Sequence, residues 1–81
     1  MIKIYAIADD GNCFLGFINP DKIISLEPFK DMKSLFPKKP HLWNLTVTKI
    51  IDTRGSYFLA NEDIFKLTER LGFKDDLNEK D

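Results

Sequence analysis

Short β-type runs separated by turn signals fill most of this chain, and helical spacing appears in the 28–40 segment and again from near residue 62. Ile2 to Ala8, rich in Ile and Tyr, predicts a first strand, and Asp9-Asp10-Gly11-Asn12 predicts a tight turn, because Gly and Asn tolerate positive φ. Cys13 to Ile18 predicts a second strand that is apolar on both alternating faces. Two apolar faces imply cover on both sides, from a curled sheet, a helix or a second subunit. Gly16 interrupts this run where a bend or a close backbone approach would suit it. Asn19-Pro20-Asp21 is the next turn signal, and Lys22 to Glu27 predicts a third strand. The longest alternation runs from Leu42 to Ile51 and predicts strand four. Asp52-Thr53-Arg54-Gly55 turns it back into strand five, Ser56 to Ala60, and this hairpin is expected to be the most secure in the molecule.

The period then changes. Ile64, Leu67 and Leu71 recur at helical spacing with Phe65 beside them, which predicts a helix over Glu62–Leu71. Asn61 serves as the expected N-cap, Glu62 and Asp63 suit the first turn, and Gly72 suits the position just past the end. The expected core is Ile4, Phe14, Phe17, Leu26, Leu45, Val47, Phe58, Ile64 and Leu67. Residues 1–73 read as one small β-rich domain, and 74–81, almost all polar or charged, as a flexible charged tail.

Pro28 to Pro40 does not fit a plain hairpin, which needs only a few loop residues. Phe29, Met32, Leu35 and Phe36 fall at spacing suited to two helical turns, with Pro28 at the first position and Pro37 ending the run. Lys30, Lys33, Lys38 and Lys39 stand among them. Two readings stay open: a short helical lid on the sheet, or a protruding arm that grips a partner or a second copy.

Composition narrows the function more by exclusion than by assignment. An 81-residue chain builds one small core, and its aromatic and β-branched content excludes wholesale disorder. No segment reads as a membrane span: the longest uncharged stretch, Gly11 to Pro20, is half the required length. The N-terminus lacks the basic start and apolar block of a signal peptide, so the expected location is cytoplasmic. One Cys excludes an internal disulfide, and one Cys with one His excludes an ordinary zinc site; no cofactor or metal is expected. Cys13, at the start of an apolar strand, reads as a small buried residue, and His41 as an ordinary residue leading into strand four. Phosphate-binding loops, nucleophile elbows and paired-carboxylate motifs are missing, so no enzymatic activity is expected. Charge is uneven, at −2 over residues 1–21, +4 over 22–54 and −3 over 55–81. That split permits self-association or an anionic partner.

From Asn19 onward, Asn19-x-Asp21-x-Ile23-Ile24-x-Leu26-Glu27, then Thr46-x-Thr48-x-Ile50, then Gly55-x-Tyr57-Phe58-Leu59 and the helix with Ile64 and Leu67 resemble the small flagellar and swarming-motility proteins. The resemblance covers residues 19–71 and implies a strand-rich fold closed by a helix. The strand order also resembles the first half of the LytTR DNA-binding domain, but the basic DNA-contacting segment of that domain is absent, so its activity is not implied. Neither resemblance supplies a catalytic residue.

The sequence therefore predicts an α+β fold. Its centre is a strongly bent antiparallel sheet, or barrel-like sheet, of about five strands, with one C-terminal helix and a short helical insertion between strands three and four. The expected function is a non-catalytic protein-interaction module that forms homo-oligomers, with Phe29, Met32, Leu35, Phe36 and Trp43 as partner-binding residues and the arm or the strand-two edge in the contact. Small size and Lys/Ile/Asn usage suit a phage or mobile-element accessory protein. The alternative is a weak nucleic-acid binder using Lys30, Lys33, Lys38, Lys39, Lys49 and Arg54, with Trp43 or Phe36 stacking on bases.

Overall fold

The computed structural model describes residues 1–72 and contains one antiparallel sheet of five strands in the order β2-β1-β5-β4-β3. The strands are β1 (Ile2–Ile7), β2 (Cys13–Ile18), β3 (Ile23–Phe29), β4 (Val47–Asp52) and β5 (Tyr57–Ala60). The helices are a single turn, α1 (Met32–Leu35), and a longer C-terminal helix, α2 (Ile64–Leu71). The sheet does not close, so the barrel-like alternative is corrected to an open sheet with β2 and β3 as its edges. No helix among the described residues is long and apolar enough to cross a membrane. The tail at 74–81 and the expected return of Phe73 onto the helix lie outside the described residues.

Each hairpin turn uses the residue chemistry its geometry demands. Gly11 takes a φ of 88°, and its N–H donates to the carbonyl of Ala8 at 2.9 Å. Gly55 takes a φ of 85° in the β4–β5 turn, where the Asp52 carboxylate accepts the N–H groups of Arg54 and Ser56. The β4–β5 ladder joins four residue pairs, from Thr48↔Ala60 to Ile51↔Tyr57. The β1–β2 and β3–β4 ladders each join six, so β4–β5 is not the longest-paired hairpin. Strand four is also shorter than expected, because Pro40–Leu42 form a 3-10 turn ahead of it. Strand three is longer and runs through Pro28 to Phe29, which takes Pro28 out of the insertion's helix and leaves α1 one turn long.

Alternation places side chains on two faces, and each face has its own cover. On the first, Ile4, Ala6, Ile50 and Ala60 pack against Leu67 and Leu71 of α2, with Leu26 and Phe58 half-buried at the margin. Helix α2 starts two residues later than expected. The N–H of Asn61 donates to the carbonyl of Tyr5, which carries the β1–β5 pairing one residue further and leaves Asp63 as N-cap. The Asp63 carboxylate accepts from Phe65 and Lys66 N–H, and Gly72 closes the helix at a φ of 85°. Buried Thr48 donates its hydroxyl to the carbonyl of Glu62 at 2.7 Å, fixing the helix start to β4. Arg70 ties the other end to β1, donating to the Lys3 carbonyl and pairing with Glu62 at 3.3 Å.

The second face is covered by the insertion. Met32, Phe36 and Leu42 pack on Ile7, Val47 and Leu59, with Phe29 and Leu45 at the margin. Of the expected core residues, Ile4, Val47 and Leu67 are buried, while Leu26, Leu45, Phe58 and Ile64 are half-buried. Phe14 and Phe17 are not core: they are 51% and 59% exposed. Their strand is an edge, and an eight-residue helix on one face and a short lid on the other do not reach across it.

Candidate interaction surface

The insertion folds back on its own sheet. Met32 and Phe36 are only 1% and 5% exposed, so these two expected partner-binding residues serve as core and cannot touch a partner while the lid is in place. Phe29 is half-buried in the same cluster. Trp43 is half-buried, and its indole Nε1 donates to the Phe36 carbonyl at 2.9 Å, which anchors the end of the lid. Leu35 alone among the five lies mostly in the open, at 43% exposed. Gly11 connects this lid to the first hairpin: it is buried, and a Cβ there would lie 2.8 Å from Lys39 Cδ and 2.9 Å from Leu42 Cδ1.

The structure does not gather the basic residues of region 30–54 onto one element. Lys33 sits 5.1 Å above the Trp43 ring and Lys49 4.5 Å above the Tyr57 ring, so the cations occupy aromatic faces that would otherwise be open for base stacking. The Lys39 stem lies against Gly11. Arg54 pairs with Asp52 at 3.3 Å in the β4–β5 turn. Lys30 and Lys38 are exposed. The Asp52 carboxyl is held below its ordinary pKa, chiefly by the backbone N–H of Arg54, with lesser help from the Ser56 N–H and the Arg54 side chain; partial desolvation opposes them.

The outermost strand, β2, is the unusual surface. Phe14, Leu15 and Phe17 are each about half exposed, at 51%, 48% and 59%, and Tyr5 beside Leu15 on β1 is 61% exposed. Side chains of Cys13, Leu15 and Phe17 lie on the lid face, beyond the lid, and Phe14 and Ile18 on the helix face. The hydrogen-bond alternation also fixes what the strand offers along its edge. Ala8 N–H donates to Asn12 O, and Tyr5 O accepts from Asn61 on the opposite side of β1. Even-numbered residues of β1 therefore bond toward β2, and their partners in β2 are Phe14, Gly16 and Ile18. The N–H and C=O groups of Cys13, Leu15 and Phe17 point outward, where no strand among the described residues meets them. From the sequence, the strand-two edge is a possible contact but its phenylalanines are core; the signal for their exposure is the uncharged run Gly11–Pro20 with apolar residues on both faces.

The helix-face side of this strand borders a groove of about 350 Å³ lined by Phe14, Gly16, Ile18, Ile23 and Phe58, with Lys22, Asp52 and Arg54 at its rim. Cys13 is exposed, against the expectation of burial, because it too stands on the uncovered edge. His41 is exposed, and among the described residues no three His, Cys, Asp or Glu side chains gather where they could hold a metal ion. Compared with known proteins, the chain matches no family model, no curated protein and no solved structure.

Proposed function

We propose that this protein is a non-catalytic interaction module that accepts an additional β-strand along the free edge of β2. One observation carries the reading: an edge that no strand among the described residues pairs with, whose outward backbone groups are flanked on both faces by half-exposed Phe14, Leu15 and Phe17. Sheets ordinarily protect such edges with charge, proline or a bulge. The other edge, β3, has all three, in Glu27, Pro28 and the irregularity between Ile23 and Ser25. Strand β2 has none, and its ten-residue surroundings Gly11–Pro20 carry no charge. An added strand would draw affinity from main-chain hydrogen bonds and selectivity from the alternating side chains.

The same proposal includes a strongly bent sheet. The two edges are joined by only Asn19–Lys22, one 3-10 turn and its cap, although four inter-strand spacings of about 4.8 Å separate them in a flat sheet. Thr53 N–H donates to Lys22 O at 2.9 Å, holding that link against the β4–β5 turn. Bending turns the apolar groove, lined by residues of both β2 and β3, inward.

Backbone hydrogen exchange at low protein concentration tests the open edge. The amides of Cys13, Leu15 and Phe17 are expected to exchange fast, and those of Phe14, Gly16 and Ile18 slowly. Uniform protection of all six in dilute solution would remove the free edge and the proposal with it.

A further inference from the structure

We infer that the strand added to β2 is β2 of a second copy, antiparallel and centred on Leu15, so that two sheets join about a two-fold axis. This rests on the open-edge reading above and specifies its occupant. The groups that point outward are those of Cys13, Leu15 and Phe17, all of the same parity. An isologous antiparallel pair must match these groups with one another. One register uses all of them: Leu15 opposite Leu15 of the other copy, and Cys13 opposite Phe17 in both directions. Shifting by one pairing step in either direction leaves an outward residue of each copy beyond the end of the other strand.

Side chains fit the same register. On the helix face it sets Phe14 opposite Gly16 of the other copy, and Gly16 presents no side chain there. Within one copy the Phe14 ring lies over Gly16, 3.6 Å from where a Cβ would stand, so the two rings meet beside the axis with no side chain of residue 16 between them. On the lid face, Leu15 meets Leu15 while Phe17 covers the small Cys13. No charged residue lies between Gly11 and Pro20, so no like charges oppose each other across the pair.

Size fixes the strength. Half-exposed Phe14 and Phe17 each retain roughly 100 Å² of the 150–250 Å² an aromatic presents, and Leu15 somewhat less. With edge backbone, both copies together bury about 600–800 Å², below the roughly 1,000 Å² expected of a stable interface. An interface of this size belongs to the weak, transient class.

Two sets of variants at exposed positions test this. In Phe17→Cys, with native Cys13 kept, the paired residues stand about 5.5 Å apart between Cα atoms, within disulfide reach. Mild oxidation should trap it as a dimer on a non-reducing gel at least tenfold more than wild type or the Cys13→Ser/Phe17→Cys double variant. In those controls the like positions lie about 13 Å apart. Leu15→Lys should weaken association at least tenfold by light scattering, as should Leu15→Glu, and mixing the two should restore it, because residue 15 faces itself. Efficient trapping of wild type through Cys13 alone, or no rescue on mixing, overturns the register. A chain that stays monomeric at several hundred micromolar, with Leu15 and Phe17 amides still exchanging fast, overturns self-pairing and leaves the open edge standing. Slow exchange of those amides in dilute solution overturns both.

Discussion

Replacing Gly11 with Ala tests how the first hairpin is joined to the lid, because Gly55 supplies a matched control. Both glycines adopt nearly the same left-handed φ, 88° and 85°. An L-residue in that region costs about 1–2 kcal/mol, and the stiffer unfolded chain returns about 0.4–1 kcal/mol. Gly55→Ala meets nothing within 4 Å, so it should destabilise by about 1 kcal/mol and no more. Gly11→Ala places its methyl 2.9 Å from the Cδ1 of buried Leu42, well inside the ordinary 3.5–4.0 Å contact. The Lys39 stem at 2.8 Å can swing aside, but Leu42 is fixed among Ile7, Val47 and Leu59. Overpacking of this kind adds about 1–3 kcal/mol, for a total near 2–4 kcal/mol. Urea unfolding reads the difference directly: with a slope of about 1 kcal/mol per molar for a chain this small, the Gly11→Ala midpoint should fall about 1–3 M below that of Gly55→Ala. Equal midpoints would mean that the β1–β2 turn does not dock on the lid.

The remaining predictions concern the two covers and the acid limit. Leu67→Ala, on the buried face of the helix, should cost about 2–4 kcal/mol, and Phe36→Ala, on the buried face of the lid, about 3–5 kcal/mol, both in one cooperative transition; a loss below about 0.5 kcal/mol at either site would place that cover off the core. Asp52 has a folded pKa below its unfolded one, so its contribution is present above the unfolded pKa and is lost as pH falls through the folded one. Wild type should therefore lose stability more steeply than Asp52→Asn as pH falls below about 4, and parallel curves would dismiss the turn carboxylate as a contributor.

How far the sequence could be read depended on whether a signal was local. Turns were legible because Gly11, Gly55 and Gly72 each stand where positive φ is needed, and the helix was legible because Leu67 and Leu71 repeat at its period. Asn61 misled because a good N-cap residue lost to a tertiary bond: its N–H bonds to Tyr5, fifty-six residues away in the chain, and Asp63 caps instead. The exposure of Phe14 and Phe17 was hidden for the same reason. Their strand's pattern is that of a buried strand, and only the sheet order places it at an edge with no neighbour among the described residues. The lid and the arm could not be separated by spacing alone, since Met32 and Phe36 would appear identically spaced whether they met Val47 and Leu59 or another molecule.

Resolving the insertion as a lid also changes where association must be sought. A charge at Phe36 would not test a contact between copies: Phe36 is 5% exposed, so Phe36→Asp buries a carboxylate against Ile7 and Leu59 and disrupts the fold itself. Exposed apolar residues are scattered singly elsewhere, as at Ile24 on β3 and Phe65 on α2, but they cluster along β2, with Leu15 and Phe17 beyond the reach of the lid and Phe14 beyond that of the helix. Among the described residues no further element lies over β2. The asymmetry between the edges follows. Strand β3 carries an irregularity, a charge and a proline along its length, whereas β2 presents three outward backbone pairs with no such guard. A sheet that defends one edge and leaves the other bare, apolar on both faces, supports strand addition at the bare edge.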